Sequence, residues 1–356
     1  MPKFDHIILM SDGIRGHYHQ SLGVAQWLER LGGGHLEDPV NVPKFHGLSR
    51  LLKMKLLVNG LAVHGADYSS NWLKSAGMVI RDVKPRTLFI SAGSSAAPFC
   101  LACAKATGNK SAVVMTPSML GTKPFDFAII PEHDKHDPKD RNILTTLGAP
   151  NHIYQPELEA IGARFFAGRD FGNNKIVAVL VGGSDANYKP SPSWAEDALG
   201  ALRYVDGVKL LISTSRRTGK ALDDKIEDMF SGNPALGYML ILAKKPKVNA
   251  LTAMLGKATH LIATEDSVSM VSEAVTAGFR VGLLRVPKTT AEPFKEFFGG
   301  GTKRFDDMFA KMRQKKLLVD LGKEPDFRNF LAEPNQRHNQ DFNEAKRAAE
   351  WIISQP

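Results

Sequence analysis

Short apolar runs alternate with longer stretches of helical spacing along most of the chain. In the first half the runs are His6–Met10, Pro39–Val42, Thr87–Ala92, Ala112–Thr116 and Phe127–Pro131. Near-continuous apolar runs of this length suit strands buried on both faces, and hence a parallel sheet. Gln20–Leu31 and Ala96–Thr107, between them, have the spacing and length of helices. The second half repeats the pattern, with strands expected at Ile176–Val181, Val208–Ser213, Tyr238–Leu242, His260–Ala263 and Val281–Val286. Helices are expected at Ser193–Leu202, Thr218–Met229, Val248–Leu255 and Ser267–Ala277. Such alternation predicts an α/β fold.

The pattern lapses from Gly148 to Asn174, where Gly148, Pro150, Pro156, Gly168 and Gly172-Asn173-Asn174 read as turns. A domain boundary is placed there, giving an N-terminal domain over 1–150 and a second over 151–340, with a cleft expected between them. Asp341–Ile353 sets Phe342, Ala345, Ala349 and Ile352 at helical spacing, so 341–356 is expected to be a closing amphipathic helix.

Composition narrows the class. With 43% hydrophobic and 23% charged residues among 356, the chain is ordinary globular protein. Two cysteines are too few for a disulfide-stapled secreted scaffold. Cys100 and Cys103 lie in the apolar run Ala96–Ala106 with no second pair to complete a zinc site, so they are read as buried residues. The first apolar run is too short for a signal peptide, and no run approaches the roughly 18 residues of a membrane span. A cytoplasmic chain, peripheral to a membrane at most, is the expectation.

The 46 basic and 37 acidic residues leave a net charge of +9, which suggests an anionic partner. Eight basic residues between Lys44 and Arg86 face only Asp67 and Asp82, a local net of +6. Leu48–Val58, in that window, reads as a helix with Arg50 and Lys53 on one side and Lys55 within its apolar arc. Helices of this kind can dock on anionic lipid, and a core helix with snorkelling lysines is the alternative. Neither a helix-turn-helix nor an RNA-binding aromatic signature is apparent, so nucleic acid is not the expected partner.

Candidate chemistry collects where strands end, since open α/β sheets bind ligands at the carboxyl ends of their strands. After the first run come Asp12, Gly13, Arg15, Gly16 and His17. His17 suits a general base because imidazole titrates near neutrality, with Asp12 orienting it. The spacing G-x-x-G is not the dinucleotide fingerprint, so a nicotinamide site is unsupported. Gly93 and Ser94 follow the third run, and Pro131-Glu132-His133-Asp134-Lys135-His136 follows the fifth; with Gly13, Arg15 and Gly16, the residues Gly93, Ser94 and His133 are the candidate ligand-binding residues of this half. In the second half, Gly182-Gly183-Ser184 with Asn187 would offer backbone N–H groups to phosphate. Ser213-Thr214-Ser215-Arg216-Arg217 adds hydroxyls and two guanidiniums able to fork onto phosphate oxygens. Glu265, Asp266, Ser267, Ser269 and Glu273 surround the start of a helix whose N-terminus would hold a diphosphate, Glu273 accepting from ribose hydroxyls. No Asp-x-Asp cluster is present, and Asp306-Asp307 is an adjacent pair in a helical stretch, so no metal is expected.

Arg15-Gly16-His17-Tyr18-His19-Gln20-Ser21-Leu22 and Ser267–Gly278, with its Glu273 and Ala277-Gly278, are similar to the first loop and donor helix of the glycosyltransferase that adds N-acetylglucosamine to lipid I in peptidoglycan synthesis. The chain departs from that enzyme in having Arg15 where it has Gly, and in Glu265 and Asp266 where it has small residues. Over most of its length the chain more closely resembles the family of the plant mitochondrial fission protein ("elongated mitochondria") and its bacterial homologues. The marks are Ser11–His17, Pro131–Asp134, Leu147–Asn151, Val181–Gly183, Thr214–Thr218 and Thr264–Met270. The resemblance implies a GT-B-like fold of two Rossmann-like domains. The leading expectation is a metal-independent transferase moving sugar from a UDP- or GDP-linked donor to a lipid or cell-envelope glycan acceptor, which Gly13, Arg15, Gly16, Gly93, Ser94 and His133 of the first domain would bind. A sugar-nucleotide epimerase and a non-enzymatic membrane-surface fission protein are the alternatives on the same fold.

Overall fold

The computed structural model describes residues 3–44, 58–80, 82–134, 141–289, 301–322, 324–338 and 341–356. The expected lipid-docking helix, with Arg50, Lys53 and Lys55, lies outside the described residues apart from Val58, as do Arg81 and His136. By internal contacts the chain forms two units, Met1–His152 together with Asn343–Pro356, and Ile153–Phe342.

The first unit is a parallel sheet built from β1 (His6–Ser11), β2 (His35–Leu36), β3 (Val40–Asn41), β4 (Thr87–Ala92), β5 (Lys110–Val114), β6 (Phe127–Pro131) and β7 (Ile143–Thr146). Its order is β2-β1-β4-β5-β6-β7, with β3 also pairing with β1. The unbroken apolar run of β4 reflects burial on both faces. Leu88, Ile90 and Ala92 pack on one side with Val24, Ala25 and Leu28 of α1 (Arg15–Arg30). Phe89 packs on the other with Trp72 and Leu73 of α2 (Ala66–Ala76) and with α3 (Gly93–Thr107). Each fully buried Leu or Ile contributes about 1.5–3 kcal/mol relative to exposure.

The second unit is also a parallel sheet, of β8 (Lys175–Val181), β9 (Val208–Thr214), β10 (Leu236–Leu240), β11 (His260–Thr264), β12 (Val281–Leu284) and β13 (Leu318–Leu321). Its order is β10-β9-β8-β11-β12-β13. Counted within the unit this is 3-2-1-4-5-6, the order of doubly wound nucleotide-binding sheets. Its described helices are α4 (Gln155–Phe165), α5 (Pro192–Leu199), α6 (Lys220–Phe230), α7 (Leu251–Lys257), α8 (Val268–Thr276), α9 (Lys303–Gln314) and α10 (Glu324–Ala332).

The terminal helix α11 (Glu344–Ser354) belongs to the first unit's core rather than standing apart as a separate segment 341–356. Its Ala345, Ala348, Ala349 and Ile352 join the cluster of α1, β1 and β4. The Nζ of Lys3 donates to the Ile352 carbonyl at 2.7 Å, satisfying one of the acceptors left over at that helix end.

Other elements depart from the sequence pattern. Helix α1 starts at Arg15, five residues before the expected Gln20, and so takes His17 into its first turn. Helix α4 lies inside the stretch read as interdomain turns. Its Pro156 stands at the start of the helix, where a missing N–H costs nothing. Strands β2, β7 and β13 were not anticipated.

Candidate functional site

In each sheet the chain leaves one central pair of strands in opposite directions, β1/β4 in the first and β8/β11 in the second. The carboxyl ends at such a switch point form the ligand crevice of open α/β sheets. The candidate residues converge on these two places, and each is described within its own unit.

At the β1/β4 switch point, Asp12 follows β1 and His17 stands one helical turn on. The Nδ1–H of His17 donates to Asp12 Oδ2 at 2.8 Å. The other oxygen of Asp12 accepts the Ile14 N–H at 3.0 Å, so the carboxylate is held from both sides. Its side chain is 5% exposed and that of His17 is 25% exposed. This arrangement fixes the tautomer, because a carboxylate only accepts, and leaves Nε2 of His17 with the basic lone pair. Gly93, at the end of β4, lies beneath the imidazole. Its φ is +76°, and a Cβ there would lie 2.5 Å from His17 Cε1 and 2.6 Å from Nδ1. The helix starts after β1 and β4 are thereby matched to each other.

The remaining acceptor candidates occupy the same edge of the sheet. Gly13 turns the chain after β1, its N–H donating to Ser11 Oγ at 3.1 Å, and Arg15 and Gly16 stand exposed on the first turn of α1. That helix begins without a side-chain cap. Ser94 Oγ donates to Ser118 Oγ at 3.0 Å and accepts the Ser118 N–H at 2.8 Å, tying the β4 loop to the β5 loop. His133 is buried beyond β6, next to Asp134, whose carboxylate accepts the Thr116 N–H at 3.3 Å. Asp134 lies in the loop that the sequence singles out around His133, whereas Ser118 does not stand out; nothing in its local pattern separates it from ordinary loop residues.

At the β8/β11 switch point the geometry corrects several expectations. The N–H groups of the Gly-Gly-Ser turn are already occupied. Gly182 donates to Thr264 Oγ1 at 2.8 Å, Gly183 to Asp266 Oδ2 at 2.7 Å, and Ser184 to the Arg217 carbonyl at 3.0 Å. The turn therefore does not offer these donors to a phosphate. Its glycines answer to close approach instead: a Cβ on Gly182 would fall inside the Asp266 carboxylate, and one on Gly183 inside the backbone of Arg217 and Thr218.

The hydroxyl run after β9 is likewise turned inward. Thr214 Oγ1 accepts the Leu242 N–H at 3.2 Å, Ser215 Oγ accepts the Arg217 N–H at 3.1 Å, and Ser213 Oγ reaches the Thr214 carbonyl at 3.4 Å. Thr218 closes the turn, taking the Ser215 N–H at 2.8 Å and donating to the Gly182 carbonyl at 2.5 Å. Asn187 belongs to a turn on Asp185, whose Oδ1 accepts its N–H at 2.7 Å. Arg217 bridges Asp185 Oδ2 at 3.2 Å and Asp266 Oδ2 at 3.3 Å, so it is committed to the protein. Arg216 is exposed and makes no ion pair among the described residues.

Glu265 is committed to the protein. It is buried, accepting the Val286 N–H at 2.8 Å and pairing with Arg285, which also reaches Asp306 at 3.1 Å. Burial is the main force raising the pKa values of Glu265 and Asp266 above the ordinary carboxylate range. The Val286 N–H and Arg285 oppose it at Glu265; at Asp266 the hydrogen bonds from Thr264 and the Gly183 N–H oppose it, followed by the charge of Arg217. Asp306 also pairs with Lys288 at 3.0 Å, which commits this member of the acidic pair. Helix α8 follows with Ser267 at its cap making no side-chain capping bond and no acidic residue in its first turn. Its first-turn N–H groups and Ser269, which is exposed, stand at the crevice end, and Glu273 is buried on the second turn. Thr264, Thr218 and Arg285 were missed as organising residues; at Thr264 a polar residue closing an otherwise apolar strand was the available signal.

Cys100 and Cys103 are buried free thiols within α3, and burial pushes Cys100 up to about 12, so neither is a reactive thiolate. No helix among the described residues is long and apolar enough to cross a membrane.

Two parallel doubly wound sheets in tandem, each with polar groups gathered at its switch point, define an α/β protein of GT-B-like fold. The family described as Mitochondrial fission ELM1 matches residues 15–355, and the chain belongs to that family. Among solved structures it is similar to the UDP-GlcNAc 2-epimerase from Methanocaldococcus jannaschii, at 11% identity and a TM-score of 0.51, over 98% of this chain and 99% of that one. It is also similar to a UDP-glucosyltransferase from Polygonum tinctorium, at 10% identity and a TM-score of 0.47, over 99% and 98% of the two chains. No curated protein matches the chain in sequence.

Proposed function

We propose that this protein is a glycosyltransferase that uses a nucleotide-sugar donor and needs no metal. The Asp12–His17–Gly93 arrangement carries the reading. A histidine whose Nδ1–H is held by a buried carboxylate, and whose ring is seated on a glycine, presents Nε2 as a general base for an acceptor hydroxyl. His17 would take that proton as the hydroxyl oxygen attacks the donor's anomeric carbon and the nucleoside diphosphate leaves.

The leaving charge would be met in the second unit by Arg216 and by the uncapped first turn of α8, with Ser267 and Ser269 beside it. Fixed N–H dipoles and a guanidinium stabilise developing phosphate charge without a metal. The acceptor would be a lipid or cell-envelope glycan held near Arg15, Gly16 and Ser94, with the protein at a membrane surface.

Epimerisation of a nucleotide sugar is the second reading, favoured by the whole-length fold likeness to the M. jannaschii protein, itself described as a UDP-GlcNAc 2-epimerase. It uses the same donor site and no acceptor. Thermal shift with UDP, GDP, CMP and dTDP compounds side by side tests the shared premise, because a ligand at 100 times its Kd stabilises by about 2.7 kcal/mol. One nucleotide class should raise the melting temperature, and Arg216→Ala should reduce the shift. No shift with any of them contradicts both enzymatic readings and favours a non-enzymatic surface role.

A further inference from the structure

The carboxylate of Asp266 stands in an unusual place. It is 1% exposed and lies directly over the Gly182–Gly183 turn that ends β8. Two donors converge on one of its oxygens, the Gly183 N–H at 2.7 Å and the Arg217 guanidinium at 3.3 Å. Gly182 can have no side chain because the carboxylate fills the space a Cβ would need. A glycine turn at the end of the first strand of a doubly wound sheet, a backbone N–H and an arginine are the parts from which such sheets make an anion site.

We propose that Asp266 is a resident anion: its carboxylate occupies the anion position of the β8 glycine turn and closes that position to ligand phosphate. Asp266 is then a specificity-determining residue for the donor site proposed above, and in that respect the inference rests on that reading. With the turn closed, a phosphate must be met elsewhere in the crevice, at Arg216 and the α8 N-terminus. Nucleotides that require the turn itself, as dinucleotides do, are refused. The internal anion also accounts for an acidic residue at a place where free carboxylates repel phosphate. Its charge is spent on Gly183 and on Arg217, which carries a second carboxylate, Asp185, on its other side.

Excising the side chain tests this without a known substrate. Asp266→Ala leaves the Gly183 N–H and Arg217 around a hole the size of a carboxylate. The variant should melt about 5 °C below wild type, since an unsatisfied buried donor and a lost ion pair cost a measurable part of the stability. Sodium acetate at 100 mM should restore at least about 2 °C of this, relative to sodium chloride at equal ionic strength, and should leave wild type unmoved. Asp266→Asn keeps an acceptor for Gly183 in a filled space and should show no acetate response. If Asp266→Ala does not fold, the Gly183 amide proton in wild type and Asp266→Asn provides the reading: loss of a charged acceptor should move it upfield. No acetate-specific rescue of a folded Asp266→Ala, equal rescue of wild type, or an unmoved Gly183 amide overturns the proposal. The acetate result is independent of nucleotide-sugar binding, so failure of the transferase reading leaves a different signature, an absent nucleotide shift with rescue intact.

Discussion

The imidazole of His17 rests on the bare backbone of Gly93, so close that a methyl group on that glycine would lie 2.5 Å from the ring. The two residues come from the first turns of the helices that follow β1 and β4, the strands between which the first sheet switches direction. Gly93→Ala should therefore act twice. It strains a residue at φ +76° by about 1–2 kcal/mol, and it drives His17 off Asp12. Chemical denaturation should report the modest loss of stability, while any His17-dependent activity should fall by a much larger factor.

Asp12→Asn keeps the shape of the side chain but no longer fixes the tautomer of His17. Turnover is expected to fall about 10²–10⁴-fold, the range a positioned general base supplies. Nucleotide affinity and melting temperature should change little. Steady-state kinetics with a thermal melt distinguishes this from misfolding.

The two adjacent arginines after β9 should separate cleanly. Arg217 joins Asp185 and Asp266 and is part of the structure. Arg217→Ala should lower stability by about 1–3 kcal/mol because it strips a partner from a buried carboxylate. Arg216→Ala should leave the melting temperature unchanged and weaken nucleotide binding, as isothermal titration would show.

Acid should destabilise the second unit through His260. This side chain is fully buried at the start of β11, between Thr259 Oγ1 and the Glu333 carbonyl, each at 2.9 Å. Burial holds its pKa below the ordinary 6.5. The folded state therefore binds fewer protons than the unfolded chain. Above pH 6.5 the group contributes no pH dependence; below it, stability falls until the folded pKa is reached, with a slope of at most about 1.4 kcal/mol per pH unit. His260→Phe should be less stable at pH 7 but show a flatter profile between pH 6.5 and 5 in urea denaturation.

Strands buried on both faces were the most legible part of the fold. Thr87–Ala92 and Phe127–Pro131 have the expected bounds because every residue in each is buried. His35–Leu36 and Ile143–Thr146 went unseen because they are short and largely half-buried, which leaves no apolar run. Helix α4 was hidden by Pro156, read as a breaker although it opens the helix. The Asp12–His17 pair was legible because its members are five residues apart in a single loop and helix turn. The second site was not, because its hydrogen bonds are long-range. Nothing near Gly183 in sequence shows that its N–H is taken by a carboxylate 83 residues away.

The role proposed for His17 is activation of an acceptor hydroxyl for sugar transfer. Its most direct test is incubation of the full-length protein with radiolabelled UDP- and GDP-sugars and a total lipid extract, wild type beside His17→Ala. Label should move from a nucleotide sugar into an extractable acceptor with wild type, and His17→Ala should retain nucleotide binding while transferring at least about a hundredfold more slowly. Equal transfer by the two proteins would contradict the role assigned to His17, and epimerised nucleotide sugar in place of labelled acceptor would contradict the transfer itself.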